Sequence, residues 1–254
     1  MRLKNMDKKD RRIIITPPTH PMFISLYILG AILIVLFAFH FPVYVAMASY
    51  LDYALILGIV SATLIILSPL LSFVNIIFKT IGTGITENVM EMEYVDFFGV
   101  PIPIPRISYR EAKMRIAVNL GGAITPLVIS IILFILMVNS PFSSVFFRAV
   151  IVSFVVTTIV TYFLARPISG VGIAIPAFIP PLVSATASIL LAGIGPAAAT
   201  SAYISGSMGS LLGADILHIA REPEKIFAPM VSIGGAGVFD GVFLTGIIAF
   251  VLAL

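Results

Sequence analysis

Gly209-Ser-Leu-Leu-Gly-Ala-Asp-Ile-Leu-His218 decides how this chain is read. It lies inside an apolar stretch of membrane-crossing length, yet it carries a carboxylate, Asp215. A second such stretch, Ser232-Ile-Gly-Gly-Ala-Gly-Val-Phe-Asp-Gly-Val-Phe-Leu-Thr245, carries Asp240. An ionisable group in hydrocarbon is expensive, so it ordinarily faces a polar cavity or a partner and marks a function. Two carboxylates on consecutive spans are also the minimum set for chemistry on one shared proton.

Working outward, the composition defines the class. The 254 residues are 59% hydrophobic and only 11% charged, with a mean hydropathy of +1.13. Apolar runs of about the 20 residues needed to cross a bilayer recur along the chain. The expected fold is an all-α integral membrane protein, a single polytopic domain over 1–254. Seven transmembrane helices are expected, at 22–41, 53–78, 116–138, 149–165, 170–192, 196–219 and 228–254. The alternation of a transmembrane barrel is absent. Residues 1–21 are a basic N-terminal segment, and the apolar run after them reads as a retained anchor, not a cleaved signal.

Basic residues give the orientation. With the N-terminus in the cytoplasm, fourteen of the 15 Lys and Arg fall on inner segments and only Arg148 falls outside. This positive-inside bias puts the C-terminus outside, in a multi-pass protein of the cell membrane surrounded by lipid. The net charge of +3 reflects that topology and not nucleic-acid binding. The chain has no cysteine, and its three histidines, His20, His40 and His218, are scattered. Thiol chemistry, cysteine metal sites and a zinc-protease helix are excluded. No Gly-rich phosphate loop is present, and neither a metal nor an organic cofactor is expected.

The one sizeable segment between spans, 79–115, alternates apolar and polar residues through Met90-Glu-Met-Glu-Tyr-Val-Asp96 and turns at Phe97-Phe-Gly99. Its second arm, Val100-Pro-Ile-Pro-Ile-Pro105, lacks donors at each proline and so suits an edge strand or a polyproline-like arm. A small cytoplasmic β-hairpin is expected here, with Met92 and Tyr94 on the arm that an extended peptide would meet. Span five, Arg166-Pro-Ile-Ser-Gly-Val-Gly-Ile-Ala-Ile-Pro-Ala-Phe-Ile-Pro-Pro-Leu182, should be unwound or bent by its prolines. Pro180 and Pro181 would then offer backbone to such a peptide. Asn75, Asn119, Gly121, Gly122, Thr125 and Pro126 form a further polar, breakable patch, in which Asn119 is expected to hydrogen-bond between helices.

The short link Arg221-Glu-Pro-Glu-Lys225 makes spans six and seven antiparallel neighbours. At 1.5 Å per residue, straight helices from that link would leave Asp215 and Asp240 roughly 10 Å apart in depth. Pro229, Gly234, Gly235 and Gly237 weaken the start of span seven. Non-helical backbone over 229–235 would bring the carboxylates level, and at that depth it must line protein or a wet pocket. On span six, Ala202, Gly206, Gly209 and Gly213 form a small-residue packing stripe. Asp215 is expected roughly opposite it, with Met208, Leu211 and Ile219. Gly237 and Gly241, flanking Asp240, complete the expected substrate contacts.

Leu211-Leu-Gly-Ala-Asp-Ile-Leu-His218 and Ile233-Gly-Gly-Ala-Gly-Val-Phe-Asp-Gly-Val-Phe-Leu-Thr-Gly-Ile247, with the proline-rich fifth span, resemble an archaeal and bacterial membrane protein family of unknown function. In layout the chain is also similar to the intramembrane aspartyl proteases of the presenilin and signal-peptide-peptidase type. Those carry one catalytic Asp on span six and one on span seven, with a cytoplasmic link between. The local motifs differ. Ala214-Asp215 stands where those proteases have Tyr-Asp, and Gly237-Val-Phe-Asp240 where they have Gly-x-Gly-Asp. This chain ends at span seven, without their later Pro-Ala-Leu motif.

The resemblance implies a protease in which Asp215 and Asp240 are the catalytic pair and a transmembrane peptide is the substrate. Two other functions use the same residues. The aspartates of a proton- or cation-coupled transporter would relay ions beside broken helices, and those of a non-catalytic scaffold would each pair with a base.

Overall fold

A computed structural model describes residues 12–16, 41–168, 172–221, 226, 228–235 and 241–254. Span one therefore lies, except for Phe41, outside the described residues. The chain runs β1 (Ile13–Ile15), α1 (Phe41–Met47), α2 (Ala54–Leu71), β2 (Val74–Phe97) and β3 (Val100–Asn119). A π turn, Leu120–Ile124, leads into α3 (Thr125–Val138), followed by α4 (Ser143–Leu164) and a small hairpin, β4 (Arg166–Ile168) and β5 (Gly172–Ala174). Then come α5 (Ile179–Ala192), α6 (Pro196–Ser210), a second π turn (Leu211–Ile216), α7 (Leu217–Arg221), β6 (Met230–Ile233) and α8 (Gly241–Ala253).

Three helical stretches are long and apolar enough to cross a membrane: Ala54–Leu71, Leu120–Val138 and Ser143–Leu164. Their outward faces are themselves apolar. On α4, Ile151, Val155, Ile159 and Phe163 are all exposed, a face suited to lipid and not to water. The interior is the more polar side. α6 lies at the centre of the bundle, packed by α4, α5 and α8, and thirteen of its 15 residues are buried.

The chain is not all-α with a small hairpin, as its composition leads one to expect. β2 spans 24 residues and β3 spans 20, in a four-stranded sheet of order β1-β2-β3-β6. The strands take over ends assigned above to spans two and three. Val74-Asn-Ile-Ile-Phe and Arg115-Ile-Ala-Val-Asn are rich in β-branched residues, which suit a pleated surface. Hydropathy alone cannot tell such a run from the end of a helix.

The turn at Phe98 and Gly99, both at positive φ, closes a two-residue hairpin. Gly99 N–H donates to Asp96 Oδ1 at 2.7 Å. Phe97↔Val100 is the closing pair, so Pro101, Pro103 and Pro105 fall at alternate positions whose nitrogens face the free edge. The prolines therefore sit in an edge strand without breaking its ladder.

The other corrections are of length. The fifth expected span contributes only α5, because Gly172–Ala174 pairs antiparallel with Arg166–Ile168 and residues 175–178 are not helical. Pro180 and Pro181 occupy the first helical turn, where a missing N–H costs nothing. The seventh contributes α8, preceded by a strand. α5 and α8 are apolar but shorter than the three spanning helices.

Candidate functional site

Asp215 stands on the second π turn, where α6 changes to the wider winding. The cause is packing against α4. A Cβ on Gly213 would overlap Thr161 Oγ1 and the Thr158 carbonyl, so the backbones meet closely there, and Thr161 Oγ donates to the Gly209 carbonyl at 3.1 Å. Gly206 faces α5 and α8 instead, near Ser184, Thr245 and Ala249. The small-residue stripe thus packs helices as expected, but serves several neighbours and not one. π turns of this kind recur at functional positions.

Opposite Asp215 is the end of β6. This strand runs parallel to β3, with Arg115↔Met230 through Val118↔Ile233 in register, so the start of span seven is indeed not helix. Gly234 follows at φ +84, and its N–H donates to Asp215 Oδ2 at 2.7 Å. A Cβ here would lie 2.6 Å from Ala123 N, so the position requires glycine on two counts. The first π turn supplies that close neighbour. Two irregular helical segments and a strand end therefore converge on one carboxylate.

A buried amide network holds the strand end in place. Asn119 Nδ2 donates to the Ser72 carbonyl at 2.6 Å and to Asn75 Oδ1 at 3.0 Å. Its Oδ1 accepts Gly122 N–H at 2.7 Å. Ser232 Oγ donates to Asn75 Oδ1 at 2.6 Å, and Asn75 Nδ2 to Thr16 Oγ1 at 2.9 Å. Asn75 and Asn119 are fully buried. This network joins β2, β3, β6 and Thr16, just after β1, to the first π turn, and Asn119 also links Ser72, the residue that ends α2, to the start of that turn, which its side chain caps. Gly234 was not legible as a neighbour of Asp215, nor Ser232 as a partner of Asn75, because a parallel pairing of distant segments leaves no local periodicity.

The basic side chains near Asp215 are engaged elsewhere. His218 Nδ1 lies 3.2 Å from the Gly213 carbonyl, and its ring is 4.9 Å from that of Tyr162. Arg221 donates to Tyr162 Oη at 3.1 Å. Among the described residues no ion pair reaches Asp215, and no cluster of His, Asp and Glu suits a metal. Among the described residues, the Asp215 carboxylate is held by one backbone N–H and by no ion pair.

The remaining site residues scatter. Asp240 and Gly237 lie outside the described residues. Gly241 opens α8, and its neighbour Val242 packs in one cluster with Leu211 and Ala123. Pro180 and Pro181 are buried at the start of α5. Met92 and Tyr94 are exposed on the ribbon, roughly 40–50 Å along it from the Asp215 end at about 3.3 Å per residue. The ribbon's base leads to Asp215 through β6, which pairs with β3 and is followed by Gly234.

Fold and site together define a helical membrane protein with an inserted sheet, whose end strand meets a carboxylate at a break in the central helix. Residues 67–252 match the family described as "Protein of unknown function (DUF1614)", and the chain belongs to that family. No curated protein and no solved structure matches it.

Proposed function

We propose that this protein is an intramembrane aspartyl protease, with Asp215 and Asp240 as its catalytic pair. The observation that carries the reading is the hydrogen bond between Asp215 and the strand that opens span seven. That strand replaces the helix which would have set the two carboxylates at different depths. Val242 beside Leu211 supports the same alignment, since Asp240 stands two residues before Val242. The reading takes the chain as a seven-span, multi-pass protein of the cell membrane, N-terminus in and C-terminus out.

In this mechanism one aspartate is ionised and the other protonated, because two carboxylates in contact do not both ionise. The ionised one takes a proton from water as the water oxygen attacks the scissile carbonyl carbon. The protonated one gives its proton to the carbonyl oxygen. The gem-diol then collapses: one of its hydroxyls returns a proton to the second aspartate, the C–N bond breaks, and the leaving nitrogen takes a proton from the first aspartate. Neither a metal nor an organic cofactor takes part in this scheme.

Purified protein incubated with a panel of single-span peptides tests this directly. Wild type should cleave at least one, and Asp215→Asn and Asp240→Asn should each lower the rate by about 10³-fold or more, as for loss of one member of a catalytic unit. Cleavage by both variants at the wild-type rate would remove the proposal.

A further inference from the structure

The far end of the β2–β3 ribbon is apolar on both of its faces. Between Glu93 and Arg106 the only charged residue is Asp96, and its carboxylate accepts the Gly99 N–H that closes the turn. Directly paired residues share a face, and neighbours along a strand alternate between faces. The register therefore puts Val95, Phe97, Val100, Ile102 and Ile104 on one face, and Tyr94, Pro101 and Pro103 beside Asp96 on the other. All of them are exposed, and Phe98, in the turn itself, is 95% exposed. Charge returns as a band just behind this tip. There Arg106 pairs with Glu93 at 2.9 Å, and Glu91 stands opposite Arg106.

Having two apolar faces narrows what can cover the tip. A protein laid against a ribbon covers one face and leaves the other in water, whereas an apolar medium covers both. Addition of a further strand to β3 is disfavoured, because Pro101, Pro103 and Pro105 offer its free edge no N–H. The same loss of donors lowers the cost of taking that edge out of water. Opposite those prolines, the N–H groups of Met92, Tyr94 and Asp96 face the free edge of β2. Open sheet edges do not occur in hydrocarbon, so the tip suits the headgroup level, where tyrosine is enriched.

The ribbon grows directly out of α2, one of the three helices long and apolar enough to span. Leu67 and Leu70 are exposed on α2, and exposed apolar residues continue through Ile76 and Phe78 at the ribbon's base. Register shifts fall between Ile77 and Lys79 and between Gly82 and Thr86. Such irregularities bend strands, and here they lie where a bend would lay the ribbon back toward the bundle's own bilayer. Tethering gives that bilayer an effective concentration at the tip that a soluble partner lacks. We propose that the tip, residues 94–104, inserts into the headgroup region of the bilayer that holds the bundle, with lipid covering both of its faces. The Glu93–Arg106 pair marks where the ribbon returns to water. This membrane contact is independent of any chemistry at Asp215.

The chain has no tryptophan, so a single introduced one reports its own surroundings. Full-length Tyr94→Trp, Ile102→Trp and Ser108→Trp proteins are each reconstituted in liposomes, with and without lipid brominated on its acyl chains. Tyr94→Trp and Ile102→Trp sit on opposite faces of the tip. Both should emit at shorter wavelength than tryptophan in water, and both should lose intensity to bromine. Ser108→Trp, behind the charged band, should emit as in water and lose little. Phe98→Asp added to Tyr94→Trp should abolish both the shift and the quenching. Phe98→Trp replaces either tip reporter that fails to fold. Quenching at only one tip site, at neither, or at Ser108 as strongly as at the tip would overturn the proposal. So would quenching that appears only when protein-free brominated vesicles are added, which places the tip in another membrane. A short-wavelength emission that bromine leaves untouched, and that fades as protein is diluted in lipid, means a second copy covers the tip and likewise overturns it.

Discussion

β2 and β3 are two different structures at their two ends. At the base, Asn75 and Asn119 are fully buried, β1 and β6 flank the pair, and a network of amides and hydroxyls closes on the strand that meets Asp215. Toward the tip the same two strands form a bare ribbon. Met90, Met92, Tyr94, Ile107 and Tyr109 are exposed there, and the ion pair between Arg106 and Glu93, at 2.9 Å, is solvent-facing on both sides. Antiparallel pairing of β2 with β3 runs through both ends, with register shifts between Ile77 and Lys79 and between Gly82 and Thr86, so the pairing of these two strands is not by itself what distinguishes the ends. What differs is whether anything lies behind the sheet, and a two-stranded ribbon with nothing behind it is marginal in water.

The contrast breaks most sharply at Gly234. Gly234→Ala brings a methyl against Ala123 in a backbone conformation that disfavours side chains, and should cost about 3 kcal/mol or more. Unfolding in detergent should show this destabilisation, and the hydrogen bond from residue 234 to Asp215 should break with it. Asn119→Ala should follow, at about 2–3 kcal/mol, since it strands the buried Gly122 N–H, the Ser72 carbonyl and Asn75. A melting temperature within a degree or two of wild type would show that the network does not hold the base.

The distal ribbon should respond far less. Replacing 83–112 by a two-residue Asn-Gly turn, which joins the paired Gly82 and Lys113, keeps the base pairing and should lower bundle stability by about 1 kcal/mol or less, the range of surface changes. Loss of the folded bundle would show instead that the ribbon is part of the core. Arg106→Ala should have the smallest effect, below about 1 kcal/mol, because an exposed pair is screened by water. A larger effect in salt-dependent melting would place that pair in an interface.

Of the candidate site, the position of Asp215 was legible, and membrane energetics are the reason. A carboxylate in an apolar run is costly wherever the run folds, and Asp215 does sit where structural breaks converge. The weakened start of span seven was legible for the same local reason, as Pro229 and Gly234 disfavour helix whatever surrounds them. The sheet was not. Val74-Asn-Ile-Ile-Phe and Arg115-Ile-Ala-Val-Asn are apolar enough to pass for helix ends, and only their pairing with each other and with β6 makes them strands.

The sequence by itself determined the membrane class, the proline-blunted edge of the ribbon and the prominence of Asp215. Each rests on composition, local geometry or the cost of burying one group. Only the tertiary structure decided that β6 pairs in parallel with β3, that Gly234 meets Asp215, and that Asn119 joins Asn75 and Ser72. Those are contacts between segments far apart in the chain. Their energy comes from close approach and shared hydrogen bonds, which no single segment carries alone.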